Sequence, residues 1–186
     1  KYLHQILGGW KEKAEGVIIK NWRSGQFRET EIMCYGQDFG FSLDDTTLVK
    51  VSVDVPNRQL WVKECFGKPN LSTSEISRLN RNYAGNSLII CDNSEPRLVR
   101  ELKNTGLNMK PTIKKQGSIL SGIALIQDYE WIIDKESIGI IKEVNNYAWK
   151  DKGTVPIDKF NHFIDAIRYS MMYLVQGKSS GVYHIR

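Results

Sequence analysis

Cysteine is scarce in this sequence: Cys34, Cys65 and Cys91 are the only three in 186 residues. An odd number, widely spaced and set among apolar neighbours, excludes a disulfide framework and offers no zinc-ligand spacing. The thiols therefore read as reduced core side chains of a cytosolic protein. No apolar run approaches the roughly 18 residues that a membrane span needs, and a secretory leader is not expected. No phosphate loop of the form Gly-x-x-x-x-Gly-Lys-Ser/Thr occurs, which excludes a nucleotide-driven motor of that class. Internal repeats and low-complexity segments are missing too. The chain starts at Lys1 rather than Met, and the expectation is a piece of a longer protein.

What is present is enough for one substantial core, with 41% hydrophobic residues in 186, and one domain is the default at this size. The net charge of +5, from 26 basic and 21 acidic residues, is mild. Its distribution is uneven. From Arg97 to Gln127 the bases Arg97, Arg100, Lys103, Lys110, Lys114 and Lys115 face the single acid Glu101, which predicts a locally positive surface suited to a phosphate backbone.

Residues 1–30 mix aromatic and charged side chains without a clear period and read as a lead-in with one short helix and one short strand. Strand-like runs then follow at Ile32–Phe41, Thr46–Val55 and Arg58–Phe66. The turn signals Leu43-Asp44-Asp45 and Pro56-Asn57 join them into an antiparallel three-strand meander. Ser72 or Thr73 caps a helix reaching about Tyr83, with Glu75 in its first turn. The continuous apolar run Ser87–Cys91 has the pattern of a strand buried on both faces by parallel pairing. A helix over about 95–104, a strand near Met109–Ile113 and a helix over Ile119–Gln127 come next. Gly117-Ser118, preceded by Lys114 and Lys115, opens that last helix as an ordinary cap or as a phosphate cradle. Trp131–Ile133 reads as a brief edge strand, Lys135–Val144 as a short helix and Ile157–Val175 as the closing helix. The fold class is α/β, with a central mixed sheet flanked by helices. The expected domain limits are 1–30 for the lead-in, 31–177 for the folded unit and 178–186 for the tail.

The closing helix carries the chemistry. At 100° per residue, Phe160, Phe163, Ile164, Ile167, Met171 and Leu174 form one apolar face, and Asp158, His162, Asp165 and Tyr169 fall together opposite. Two further acids stand out by position. Asp38 lies within the first strand between Gly36 and Gly40, where a turn role competes with a ligand role. Asp92 ends the buried parallel strand, either as a cap for the next helix or at the crevice where open α/β sheets bind ligands. Asp38, Asp92 and Asp165 converge if the first and fourth strands are neighbours and the last helix crosses them. Such a cluster needs a cation, and an all-oxygen donor set selects Mg²⁺ or Mn²⁺ over zinc. Two such ions would promote in-line hydrolysis of a phosphodiester. His162 then serves as ligand, outer-shell group or proton donor to the leaving 3′ oxygen, or it is purely structural.

Gly36-Gln37-Asp38-Phe39-Gly40-Phe41, Ile90-Cys91-Asp92-Asn93-Ser94-Glu95-Pro96, Lys115-Gln116-Gly117-Ser118-Ile119 and Tyr147-Ala148-Trp149 followed by Pro156 through Tyr169 together resemble the C-terminal nuclease domain of the large terminase subunit of tailed bacteriophages. The resemblance runs in order from about 31 to 175. It implies a ribonuclease H-like fold and a metal-dependent endonuclease that cuts concatemeric double-stranded viral DNA during packaging, with little sequence preference. It also implies Asp38, Asp92 and Asp165 as metal ligands for two Mg²⁺ or Mn²⁺ ions, and His162 beside the last acid. Asp44 or Asp45 stands where some members carry an additional acid. Arg100, Lys114 and Lys115 are the expected DNA contacts. The implied partners are double-stranded DNA, an N-terminal packaging ATPase domain, the small terminase subunit and the portal, in the cytoplasm of the infected host and without a membrane. A junction-resolvase type of ribonuclease H-like nuclease and a non-catalytic docking module for DNA or portal are the competing readings.

Overall fold

The structure is a computed structural model, and it describes residues 15–41, 43–113, 116–150, 153 and 155–176. Seven strands form one sheet in the order β1-β7-β4-β3-β2-β5-β6. They are β1 (Trp22–Gly25), β2 (Met33–Asp38), β3 (Thr46–Asp54), β4 (Gln59–Lys68), β5 (Ile89–Cys91), β6 (Met109–Pro111) and β7 (Glu130–Asp134). Only β3 runs antiparallel to its neighbours, so β2, β3 and β4 make the expected meander and the remaining pairings are parallel. One expected position in the sheet changes. Trp131–Ile133 is not an edge strand: β7 lies between β1 and β4, and Trp131, Ile132 and Ile133 are all buried. The strand that occupies the edge is β1, from the lead-in, with Ile18 and Ile19 buried upstream of it. Strand β1 thus pairs with β7 in the same sheet, and Ile18 and Ile19 join the core beneath it.

Alternation along the strands splits the core in two. Cys34, Val49, Val51, Val53, Val62 and Ile133 point to the face covered by α3 (Ser118–Gln127), α4 (Ile138–Asn146) and α5 (His162–Met171). Tyr35, Leu48, Phe66, Ile89 and Cys91 point to the face covered by α1 (Thr73–Ala84) and α2 (Pro96–Asn104). The α1 start is a capping box: the Ser72 hydroxyl accepts from Glu75 N, and the Glu75 carboxylate accepts from Ser72 N. A reciprocal amide pair, Gln37 with Asn80 at 3.0 and 2.7 Å, ties the end of β2 to α1. The cysteines are free thiols, and burial pushes each up to about 12.

The closing helix is shorter than its apolar period suggests. It starts at His162, because Pro156 bridges Trp149 and Phe160 adopts a positive φ of 57°. A residue in the left-handed region breaks a right-handed helix. Asp158 and Phe160 thus precede the helix, and Phe160 is 36% exposed instead of sharing the apolar face. At its other end α5 passes into a π-helical turn, Met172–Gln176. Helix α5 packs across β2 and β3. Gly36 allows the close approach: a Cβ there would meet Ala166 O at 2.1 Å. The Phe163 ring fills the equivalent space over Gly67 and Gly139, within 2.5 Å of where their Cβ atoms would be.

Candidate active site

The parallel pairing of β2 with β5 brings two acids to one edge of the sheet. Asp38 is the last residue of β2 and not a mid-strand residue, so its carboxyl stands at the carboxyl end, where α/β sheets present ligands. Asp92 follows β5, and its backbone N–H donates to Gln37 O at 3.1 Å, which continues the β2–β5 ladder and sets the two acids side by side. Asp92 does not cap α2: its Oδ2 accepts from Ser94 N and from the Ser94 hydroxyl, while Glu95 is the N-cap residue and makes no side-chain cap. Asp38 is 9% and Asp92 4% exposed. Helix α5 supplies the third acid, Asp165, in its first turn, and the Thr47 hydroxyl donates to His162 O at 3.2 Å to pin that turn to β3.

The three acids share one field. Burial pushes Asp38 up to about 6, with Asp165 and Asp92 adding repulsion and the His162 hydrogen bond pulling the other way. The Tyr169 hydroxyl donates to Asp38 Oδ1 at 3.4 Å. Burial and the charges of Asp165, Asp38 and Asp92 hold that phenol far above its ordinary range, so it stays a neutral donor. His162 Nδ1 lies 3.1 Å from Asp38 Oδ2 and Nε2 lies 3.9 Å from Asp44 Oδ1. The hydrogen bond to Asp38 raises His162 to about 9, against the effect of burial, so the imidazole is cationic at neutral pH. A further counter-charge is Arg168, whose buried side chain donates from Nε and Nη2 to Asp165 Oδ1 at 3.2 and 3.0 Å.

Asp38 thus has His162 in contact and the charges of Asp92 and Asp165 acting on it, with Asp44 at the rim. Asp158 is exposed and outside α5. Arg100 is exposed on α2, and Lys114 and Lys115 lie outside the described residues. Two functional neighbours were missed. Arg168 is one; the other is Glu143 on α4, which is 7% exposed and accepts from Ile164 N at 2.9 Å. Burial pushes Glu143 up to about 7. Its signal is present in the sequence: Ile140, Glu143 and Val144 share one helical face, an acid within a buried stripe.

Among the described residues, no three His, Cys, Asp or Glu side chains are gathered so as to enclose an ion. Asp38 is turned to His162 and Tyr169, Asp165 to Arg168, and Asp92 to Ser94. The donor chemistry fits a divalent ion all the same. Asp165, from α5, and Asp92, from the β5 end, each repel the Asp38 carboxylate, and hard oxygen donors of that kind suit Mg²⁺ or Mn²⁺.

A family profile described as the terminase RNase H-like domain matches residues 38–172. The chain belongs to that family. Solved structures agree on the fold of this terminase domain. The large terminase nuclease domain of bacteriophage SPP1, solved with bound Mn, superposes with a TM-score of 0.72 at 23% identity, over 83% of this chain and 97% of that one. The P22 large terminase nuclease domain gives 0.66 at 15% identity, over 83% and 87%. A large terminase from a thermophilic bacteriophage, solved with ADP, gives 0.67 at 17% identity, and the chain covers 83% of itself but only 42% of that protein. No curated protein matches the sequence.

Proposed function

We propose that the chain is the nuclease domain of a phage large terminase, a divalent-metal-dependent endonuclease that hydrolyses double-stranded DNA phosphodiesters with little sequence preference. What supports this reading is that Asp38 and Asp92 stand side by side at the carboxyl ends of β2 and β5, with Asp165 in the first turn of α5 acting on Asp38, within a terminase fold. Asp38, Asp92 and Asp165 would hold Mg²⁺ or Mn²⁺, two ions per site. When bound, such ions activate water and stabilise the leaving oxygen of an in-line displacement.

The protein's own groups do the rest. Tyr169 donates to Asp38 Oδ1 and so orients that carboxylate. His162 anchors the other oxygen of Asp38 through Nδ1 and holds its second proton at Nε2, towards Asp44 at the rim. In this reading that proton is given to a leaving 3′ oxygen, the general-acid role. Arg168 draws Asp165 Oδ1 towards the helix. Beside Asp92, a groove of about 270 Å³ lined by Asn93, Pro96, Arg100, Lys103 and Pro111 supports binding of a backbone phosphate without base readout.

In this reading the remainder of the full-length protein is the packaging ATPase. The small terminase subunit and the portal are the other partners, and the work is done in the infected host's cytoplasm. No helix among the described residues is long and apolar enough to cross a membrane. The test is conversion of supercoiled plasmid to nicked and linear forms with Mg²⁺, Mn²⁺ or EDTA, with Asp38→Ala as control. Cleavage that requires the metal and disappears in the variant is expected; cleavage that persists in EDTA or in the variant would overturn the reading.

A further inference from the structure

A helix leaves its first N–H groups without intrahelical partners, and a side chain at the N-cap ordinarily receives them. Helix α5 does not use that device. Its N-cap residue Asn161 makes no side-chain cap, and the N–H of Ile164 donates instead to Glu143 Oε2 at 2.9 Å. The N–H of Phe163 adds to the same carboxylate. Helix α4, which carries Glu143, repeats the arrangement. Its N-cap residue Ser137 caps nothing with its side chain, while the N–H groups of Gly139 and Ile140 donate to Glu64 Oε2 at 2.7 and 3.3 Å. Ser137 Oγ in turn accepts from Glu64 N at 2.9 Å.

A relay results: β4 holds the start of α4, and α4 holds the start of α5. A local cap would close the α5 end equally well but would leave the helix free to slide along the sheet. A cap from a neighbouring element fixes its position. The Phe163 ring, pressed over Gly67 and Gly139, fixes its rotation as well. The two residues whose N–H groups Glu143 receives are flanked in sequence by His162 and Asp165, so the held turn is the one that delivers both side chains to Asp38.

We propose that Glu143 is a positioning residue of the nuclease site: as a hydrogen-bond acceptor from α4 it sets the register of α5, and thereby places Asp165 and His162 against Asp38 and Asp92. The proposal rests on the nuclease reading for its consequence and on the capping geometry for its substance. Burying a carboxylate is costly, and helix-dipole attraction alone is modest. An acceptor at a fixed point is what α5 needs.

The test compares Glu143→Gln, Glu143→Asp and Glu143→Ala in the whole chain. Gln keeps an acceptor oxygen at the same reach without the charge; Asp keeps the charge and withdraws it by one methylene. Hydrogen exchange in metal-free buffer should speed up across 162–166 in the Asp and Ala variants and stay near wild type in the Gln variant. Mn²⁺ affinity by calorimetry should follow the same order, with a loss of roughly 10- to 100-fold for Ala, the usual cost of removing an outer-shell partner. Plasmid cleavage should lose kcat with KM for DNA unchanged. A Gln variant as damaged as Ala, with Asp near wild type, would make the charge and not the acceptor the active property and would overturn the proposal. So would an Ala variant with wild-type exchange and Mn²⁺ affinity. The exchange measurement needs neither metal nor DNA, so it separates failure of this proposal from failure of the nuclease reading.

Discussion

Gly36→Ala is the sharpest single perturbation of the interface that carries the site. Gly36 sits inside β2, paired to Val49 on one side and Ile90 on the other, so the strand has no room to move sideways. An added Cβ would lie 2.1 Å from Ala166 O and 2.4 Å from Ser170 Oγ, where ordinary contact begins near 3.4 Å. Ser170 can rotate, but Ala166 O is backbone, so α5 must lift by roughly 1 Å. Overpacking of this kind costs about 1–3 kcal/mol, which for a chain of this size lowers Tm by roughly 2–12 °C. Ala166 adjoins Asp165, and a displacement near 1 Å at a reacting centre costs on the order of 100-fold in rate. Thermal unfolding by circular dichroism and initial rates of plasmid nicking measure the two effects. A Gly36→Ala protein with unchanged Tm and unchanged nicking would refute the view that α5 is seated through this contact.

Asp165→Ala should destabilise the chain by about 3–5 kcal/mol in urea titration, because it leaves the buried Arg168 guanidinium without its main partner; Asp165→Asn, which keeps an acceptor, should lose far less. Saturating Mn²⁺ at a hundred times its Kd should stabilise the wild type by about 2.7 kcal/mol, and Asp38→Ala should abolish that gain in the same melt. The pH profile of the metal-free protein has a definite sign. Asp38, Glu143 and His162 all bind protons more tightly when folded, with values pushed up to about 6, 7 and 9. The native state therefore holds more protons, and stability falls as pH rises. The His162 contribution is complete below its ordinary value near 6.5 and is lost as pH rises through about 9. Melting curves from pH 6 to 9.5 should decline, with a flatter profile for His162→Ala; a rise over that range would contradict the ion pair with Asp38.

The central sheet was readable because its strands carry strong patterns. The alternation of Thr47, Val49, Val51 and Val53 and the unbroken run Ser87–Cys91 correspond to β3 and β5 within a residue or two. Trp131–Ile133 looked like an edge because it is brief. Its neighbour on the outer side is β1, from a segment whose mixed aromatic and charged residues give no period. The start of the closing helix was misjudged because an apolar period runs on through Phe160, while the positive φ there and the Trp149–Pro156 bridge depend on tertiary contacts. Within the site, the acids could be found one at a time from their positions next to strands and glycines. Their counter-charges could not. Arg168 reads as one more base on an amphipathic helix until its side chain is seen buried against Asp165. Glu143 is different, an acid and not a counter-charge: its place in the buried Ile140–Val144 stripe is legible, while the group it holds is seen only when α5 is laid across it.

The claim on which everything else depends is that Asp38, Asp92 and Asp165 form one metal centre. Anomalous diffraction from Mn²⁺-soaked crystals of this chain tests it most directly. A metal centre requires a manganese peak bounded by all three carboxylates. A peak elsewhere, or none at these acids under saturating Mn²⁺, would contradict it.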